Sequence, residues 1–577
     1  MLALLRGPLA GLFILALAFL PASPMAADSP GPAEVMVTSE AAVSIARQST
    51  APAEAAPSAS PGTPDEALTQ ALGRERVRDW SGAMTLYEQA LERWPSRTDF
   101  RHRLRLCQTH YRLGRRYEDQ SFRNVLLRLP RSDVMALYQE LLERIETGYV
   151  DPVRFDPLLR HGYDNLEVAL RDPVFLESHR VDASERAERV RWLRDAYRSQ
   201  RAKLSVQSRS EARAQVESAC DLGSRALGLP EAAVALEFVY GACDALDDYT
   251  GCLTPDKLSD LYAEIDGNFV GIGVELKHSE RGLLLVNVIR GGPAWEAGLR
   301  PGEQIVKVDD RPLDGLSLDS AAGLLQGVEN SGVEVEVLGG DGRIRAVDLV
   351  RRPVEVWSVE STALLQGGVG FIRLISFQKT TLAEMDRAVA DLQAKGMRHL
   401  VLDLRGNPGG LLNVAVELAD RFLDRGRIVA TRGRAPGQTF DYVASQATPW
   451  RMPVTLLVDG DSASASEILA GALKEHRRAV VIGERTFGKG SVQSIYPLRS
   501  ADAALKLTTA KFYSPNDRPY SEHGVSPDVE VASVARPASD GGAGAIEPIP
   551  FGDPERDPAL RIAIRRVLAE DLAGNAR

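Results

Sequence analysis

Beyond about Pro353 the chain alternates between two hydrophobic patterns, and that alternation constrains its fold more than any other feature. The runs "GVGFIRLISF", "HLVLDL", "PVTLLVDG" and "AVVIGE" are short and apolar throughout, as strands buried in a sheet are. Between them lie "TLAEMDRAVADLQAKG", "LLNVAVELADRFL" and a helix opening at about Ala465. Strand, helix, strand in this order implies an α/β core built on a largely parallel sheet. A chain of 577 residues is too long for one core, so further domains must precede this one.

Residues 263–352 carry the period of strands instead: "GNFVGIGVEL", "GLLLVNVI", "EQIVKVDD" and "VEVEVLG", with turns at "GGPAWEAGLRPG" and one helix near "SLDSAAGLLQGV". This is a compact β-domain set before the α/β core at 353–532. Residues 121–262 read as helical, and the charged stretch within them, about 171–232, reads as solvated helix faces. At 66–120, Trp80, Ala83, Tyr87, Ala90 and Leu91 share one helical face, Pro95 stops that helix, and a second runs to about Tyr117. The pair has the pattern of one tetratricopeptide-like hairpin or of an ordinary helical hairpin. Either needs a neighbour to cover it. The fold class expected is therefore multidomain α+β, with a tail at 533–577 ending in a short helix at "DPALRIAIRRVLAEDL".

The first 27 residues hold Arg6, an uncharged apolar run from Leu9 to Leu20, then small residues and proline, the order of a secretory signal. The run is about 12 residues against the ~20 of a spanning helix. Export to the periplasm or cell envelope is expected, with an uncleaved anchor as the other outcome. Residues 28–65, rich in Ala, Pro, Ser and Thr, read as a flexible linker. A net charge of −10 with no basic block argues against nucleic acid as a partner. Four cysteines without a C-x-x-C pair suggest neither a disulfide scaffold nor a metal site. Export would permit a Cys243–Cys252 bridge, with buried free thiols the alternative.

Chemistry concentrates in two segments. In "DGDSASASEILAGAL", three serines stand at the exit of a buried strand, where the first N–H groups of the following helix point at the same spot. That is the geometry of a nucleophile beside an oxyanion site. Ser464 and Glu467 also spell a capping box, S-x-x-E, which needs no chemistry. In "AVVIGERTFGKGSVQ", Lys489 lies between two glycines behind a buried strand, and a lysine amine serves as general base when burial favours its neutral form. Gln493, four residues on, can orient that amine without adding charge. "DLRGNPGG", residues 403–410, is a second strand-to-helix turn able to bring backbone close to a substrate, or else a plain tight turn. No phosphate-binding loop is present, since "GKG" lacks the Ser or Thr after the lysine. His476 and His523 stand in charged or polar contexts unlike those of a catalytic histidine.

"SASASEILAGALKEHRRAVVIGERTFGKGSVQ" resembles the C-terminal processing peptidases, or tail-specific proteases, which are Ser-Lys serine endopeptidases carrying a PDZ domain. "GNFVGIGVEL" with "GPAWEAGLRPGEQIVKVDD" is similar to that PDZ domain, and "FIRLISF", "DLRGNPGG" and "FYSPNDRPYSEHGVSPDVEV" to the protease core. The resemblance implies a core of crotonase- or Clp-protease-like ββα units. It also implies Ser464 as nucleophile, because the family's separation of 25 residues is met between it and Lys489. Gln493 would support the lysine, and the N–H groups of Ala465 and Gly410 would form the oxyanion hole. Phe269, Val270, Gly271, Ile272 and Gly273 would receive a substrate's free C-terminus. The implied substrates are proteins with apolar C-termini, with no cofactor or metal. The resemblance implies homo-oligomer (dimer) or adaptor contacts through the helical N-terminal part, and the hairpin, outside the family's usual plan, is expected to bind an adaptor or activator protein. "LDDYT" departs from the Asp-Pro-His-Ser run of many members. Two other functions stay open at this level: a catalytically silent scaffold of the cell envelope, and a hydrolase of small esters or amides.

Overall fold

The structure, a computed structural model, describes residues 35–37, 63–182, 186–279, 281–314, 318–327, 329–532 and 551–575. The expected signal, most of the Ala/Pro/Ser stretch and residues 533–550 lie outside them. From residue 63 on, three helices come first, Pro64–Arg76, Trp80–Arg93 and Thr98–Glu118. Thr63 starts the first with a capping box to Glu66, and Asp79 starts the second by accepting the N–H of Gly82 at 2.9 Å. The hairpin thus has its covering neighbour in the first helix. Ala71, Ala83, Tyr87, Phe100 and Cys107 are fully buried between the three.

A second helical body is built from Arg131–Gly148, Phe155–Ala169, Arg209–Leu227 and Glu231–Asp244. Two of these cross at Gly162 and Gly241, where a Cβ on Gly241 would stand 2.5 Å from the Gly162 nitrogen. The charged helix Ala187–Ala202 turns its arginines outward and buries Val190, Leu193 and Tyr197. Cys107, Cys220, Cys243 and Cys252 are all free and buried.

The β-module has the strand order Val274–Ser279, Gly282–Val288, Gln304–Val308, Gly332–Leu338, Ile344–Val350, all antiparallel, with the helix Leu318–Leu325 against its first two strands. Val274–Ser279 is an edge strand. The module joins the core through a separate two-stranded ribbon, Asn268–Gly271 antiparallel to Arg352–Glu355, with Gly271 opposite Arg352. At the base of this neck, Val356 N–H donates to Gly267 O at 2.8 Å and Lys379 N–H to Ile265 O at 3.0 Å.

The core sheet runs Val369–Leu374, His399–Asp403, Val454–Val458, Ala479–Gly483 and Val529–Glu530, all parallel, with Val359–Leu365 antiparallel on one edge. Its apolar runs are explained by burial on both faces. Ile372, Leu374, Leu400, Leu402 and Leu456 pack with the helices Thr381–Ala394, Leu412–Asp420 and Ala465–Glu475. Phe371, Val401, Leu457 and Ile482 pack with Leu560, Ala563 and Val567 of the C-terminal helix Pro558–Asn575. A second, antiparallel sheet holds Ser491–Leu498, Ala503–Tyr513, Arg427–Gly433 and Phe440–Val443. Val35–Val37, inside the stretch read as linker, pairs on its edge with Val37 opposite Gln493.

Candidate functional site

The three serines have three different environments. The strand Val454–Val458 ends at Asp459, whose Oδ1 accepts N–H groups from Gly406, Asp461 and Ser462 at 3.0 Å each. Ser462 Oγ donates to Leu404 O and Ser466 Oγ to Asn407 O, both at 2.9 Å, so the outer serines stitch this turn to the neighbouring glycine-rich loop. Ser464 lies between them, fully buried, with φ 58° and ψ −111°. A non-glycine residue held there stores on the order of 1–3 kcal/mol of backbone strain. The helix Ala465–Glu475 starts at once behind it.

Glu467 does more than cap. Its Oε2 accepts the N–H of Ser464 at 2.7 Å and that of Lys489 at 2.9 Å. Its Oε1 accepts Thr486 Oγ1 at 2.6 Å and the N–H of Gly488 at 2.7 Å. Burial nevertheless pushes the carboxyl pKa up to about 7, against the opposing pull of these donors. One side chain therefore ties the serine turn to the lysine loop.

Lys489 is 1% exposed, and its Nζ lies 4.6 Å from the centroid of the Tyr249 ring. Gln493 Nε2 donates to Ser491 Oγ at 3.0 Å and to Thr508 Oγ1 at 3.2 Å. Thr508 N–H in turn donates to Thr250 Oγ1 at 3.2 Å. Asp247 Oδ1 accepts the N–H groups of Tyr249 and Thr250 at 2.8 and 2.7 Å, an Asx turn that presents both residues. The "LDDYT" segment, a departure in the sequence, is thus a wall of the site.

The loop 403–410 closes the opposite side. Asn407 Oδ1 accepts Gly409 N–H at 2.9 Å, Asn407 Nδ2 donates to Leu374 O at 2.8 Å, and Asn407 O accepts Ala463 N–H at 3.0 Å. Gly409, at φ 109°, approaches so closely that a Cβ there would stand 2.8 Å from Ser464 Cβ and 2.9 Å from the nitrogen of Ala465. Gly410, at φ 146°, bridges to Phe377, whose N–H donates to Gly409 O at 2.9 Å.

Ser464, Ala465, Lys489, Gln493 and the Gly409–Gly410 turn thus share one buried neighbourhood. His476 and His523 do not join it: His476 Nε2 bonds Arg427 O at 2.7 Å, and the exposed His523 bonds Ser521 O at 2.7 Å. Phe269–Gly271 lie in the neck ribbon, followed by the buried Ile272 and by Gly273 at φ 78°. Glu467 and Tyr249 are the residues that sequence reasoning did not place in this site. The signal for Glu467 was present in its spacing from Ser464, but read only as a cap.

Residues 368–531 match the model of peptidase family S41 and residues 285–338 that of the PDZ domain. A carboxy-terminal-processing protease of Bartonella bacilliformis is 36% identical over 301 residues, covering 51% of this chain and 68% of the relative. A probable CtpA-like serine protease of Staphylococcus aureus is 35% identical over 289 residues, covering 49% of this chain and 57% of its own length. Among solved structures, a photosystem II D1 C-terminal processing protease is 28% identical with a TM-score of 0.39, covering 70% of this chain and 94% of its own. The chain belongs to the carboxy-terminal-processing proteases of family S41, serine-type peptidases, and carries a PDZ domain.

Proposed function

We propose that the protein is an exported endopeptidase that takes hold of proteins by an apolar C-terminus and cuts them with Ser464 and Lys489. The observation that carries this reading is the strained, fully buried Ser464 at a strand-to-helix turn, joined through Glu467 to a buried lysine. In this reading Ser464 Oγ attacks the scissile carbonyl carbon and its proton passes to Lys489 Nζ. The N–H groups of Ala465 and Gly410 hold the oxyanion, and Gln493 orients the amine. Lys489 returns the proton to the leaving amine as the C–N bond breaks. Water then hydrolyses the acyl-enzyme by the same steps. No metal or organic cofactor enters this scheme.

Tail recognition falls to the PDZ domain. Its edge strand Val274–Ser279 beside the helix Leu318–Leu325 is the arrangement to which an extended peptide adds as a further strand, and Phe269–Gly273 lead into it. The apolar run of the first 27 residues supports export, and the N-terminal three-helix unit is a surface for an adaptor or activator.

The test is cleavage of an unstructured reporter ending in a free apolar C-terminus, beside the same reporter amidated there. Wild type should cut the free tail and spare the amidated one, and Ser464→Ala and Lys489→Ala should cut neither. Activity retained in either variant sinks the dyad; equal cleavage of both reporters sinks tail recognition.

A further inference from the structure

The C-terminal segment 551–575 lies outside the stretch matched by the peptidase family, yet it reaches the back of the site. Asp557 is fully buried and meets Arg405 with both oxygens, Nη1 to Oδ1 at 3.0 Å and Nη2 to Oδ2 at 2.5 Å. Arg405 is 5% exposed, and its other edge is held by Asp403, Nε to Oδ1 at 2.9 Å and Nη2 to Oδ2 at 2.6 Å. One guanidinium is thus clamped between two carboxylates 154 residues apart in the chain, Asp403 and Asp557. Phe551, from the same segment, lays its ring 3.3 Å from Arg373 Cζ and 5.1 Å from Arg405 Cζ.

A buried arginine with two charged partners is fixed in a way that one partner alone does not achieve, because guanidinium and carboxylate match geometrically in bidentate pairs. What Arg405 holds is the start of the glycine-rich loop. Two residues on, Asn407 O accepts from Ala463 N–H and Ser466 Oγ, on either side of Ser464. Gly409 then stands against Ser464 itself. Asp557 also accepts the N–H of Leu560 at 3.1 Å, so the same carboxylate starts the C-terminal helix and clamps Arg405.

We propose that Asp557 is a positioning residue for hydrolysis: from the far face of the sheet it fixes Arg405, and through Arg405 the Gly409–Gly410 turn against Ser464. The inference rests on the Ser464 reading above. It makes the C-terminal segment part of the working site.

The experiment compares full-length wild type with Asp557→Asn, Asp557→Ala, Asp557→Glu and, as a control, Val567→Ala, which weakens the same helix ten residues away. Three readouts are taken: kcat and KM on an unstructured peptide, the rate at which a small fluorophosphonate labels Ser464, and amide hydrogen exchange across 404–411. In Asp557→Asn and Asp557→Ala, kcat should fall roughly tenfold or more with KM within about twofold, as expected when a transition-state contact is loosened. Labelling should slow in proportion and exchange at 404–411 should quicken, with Asp557→Glu recovering part of each. Val567→Ala should lower Tm and leave all three readouts near wild type. Wild-type kcat and exchange in Asp557→Ala would overturn the proposal, as would a loss no larger than that of Val567→Ala at matched Tm. A wild type that neither labels nor cleaves would refute the serine reading instead, and the exchange measurement would still decide the clamp.

Discussion

Ser464 and Lys489, 25 residues apart, donate their backbone N–H groups to the same oxygen, Glu467 Oε2, at 2.7 and 2.9 Å. The other oxygen accepts from Thr486 and Gly488, so each oxygen is committed to two donors. Glu467→Gln must turn an NH2 group toward two of them. Turned toward Thr486, whose hydroxyl can accept, the NH2 still leaves the Gly488 N–H without an acceptor at a cost of about 1–3 kcal/mol, so kcat/KM should fall by roughly 10-fold or more. Peptidase kinetics beside far-ultraviolet circular dichroism, which should be unchanged, checks this.

Gly409→Ala should abolish activity with little loss of secondary structure. At φ 109° an L side chain is strained, and its Cβ would stand 2.8 Å from Ser464 Cβ, so the serine turn must move. Slow fluorophosphonate labelling of a folded variant is the expected result; labelling at the wild-type rate would mean that the turn tolerates the displacement.

Tyr249 offers the face of its ring to Lys489 Nζ at 4.6 Å. The ring face stabilises the ammonium that Lys489 becomes on taking the serine proton, by about 0.5–2 kcal/mol, so Tyr249→Leu should lower kcat by roughly 2- to 30-fold while Tyr249→Phe, which keeps the ring face, stays near wild type. Steady-state kinetics of the two variants separates the ring from its hydroxyl.

His179 reports on the helical body. Burial lowers its pKa to about 4, and its Nε2 lies 2.7 Å from the hydroxyl of Tyr117. The folded state holds it neutral while the unfolded chain protonates near pH 6.5. Its contribution to stability is therefore complete above about pH 6.5 and is lost as pH falls toward 4. Urea midpoints between pH 7 and 4.5 should drop less in His179→Gln than in wild type.

How much of this was legible beforehand follows from how local each signal is. The helix starting at Ala465, the stop before Pro95 and the buried core strands are written in consecutive residues, and the structure has them at Ala465–Glu475, Arg93 and Val454–Val458. The strand Ile344–Val350 was missed because almost all of it is solvent-facing and shows no apolar alternation. The hairpin Arg427–Gly433 with Phe440–Val443 was missed because arginines flank its short buried run. Of the residues that share the buried neighbourhood, Ser464, Lys489, Gln493 and the 403–410 turn stand out in the sequence. Tyr249 and Asp557 do not, since each reaches its partner from at least 150 residues away, 240 for Tyr249 and 152 for Asp557.

The neck of the PDZ domain carries a mechanical consequence. Its two strands enter and leave side by side, so the peptidase core meets the whole module as a closed loop swung from a narrow hinge. The fulcrum is at Ile265–Gly267, bonded to Val356 and Lys379, and Lys379 is two residues from Phe377, which grips Gly409 and Leu411. The base of the neck and the loop that stands against Ser464 are thus neighbours along one short stretch of backbone, Phe377 to Lys379.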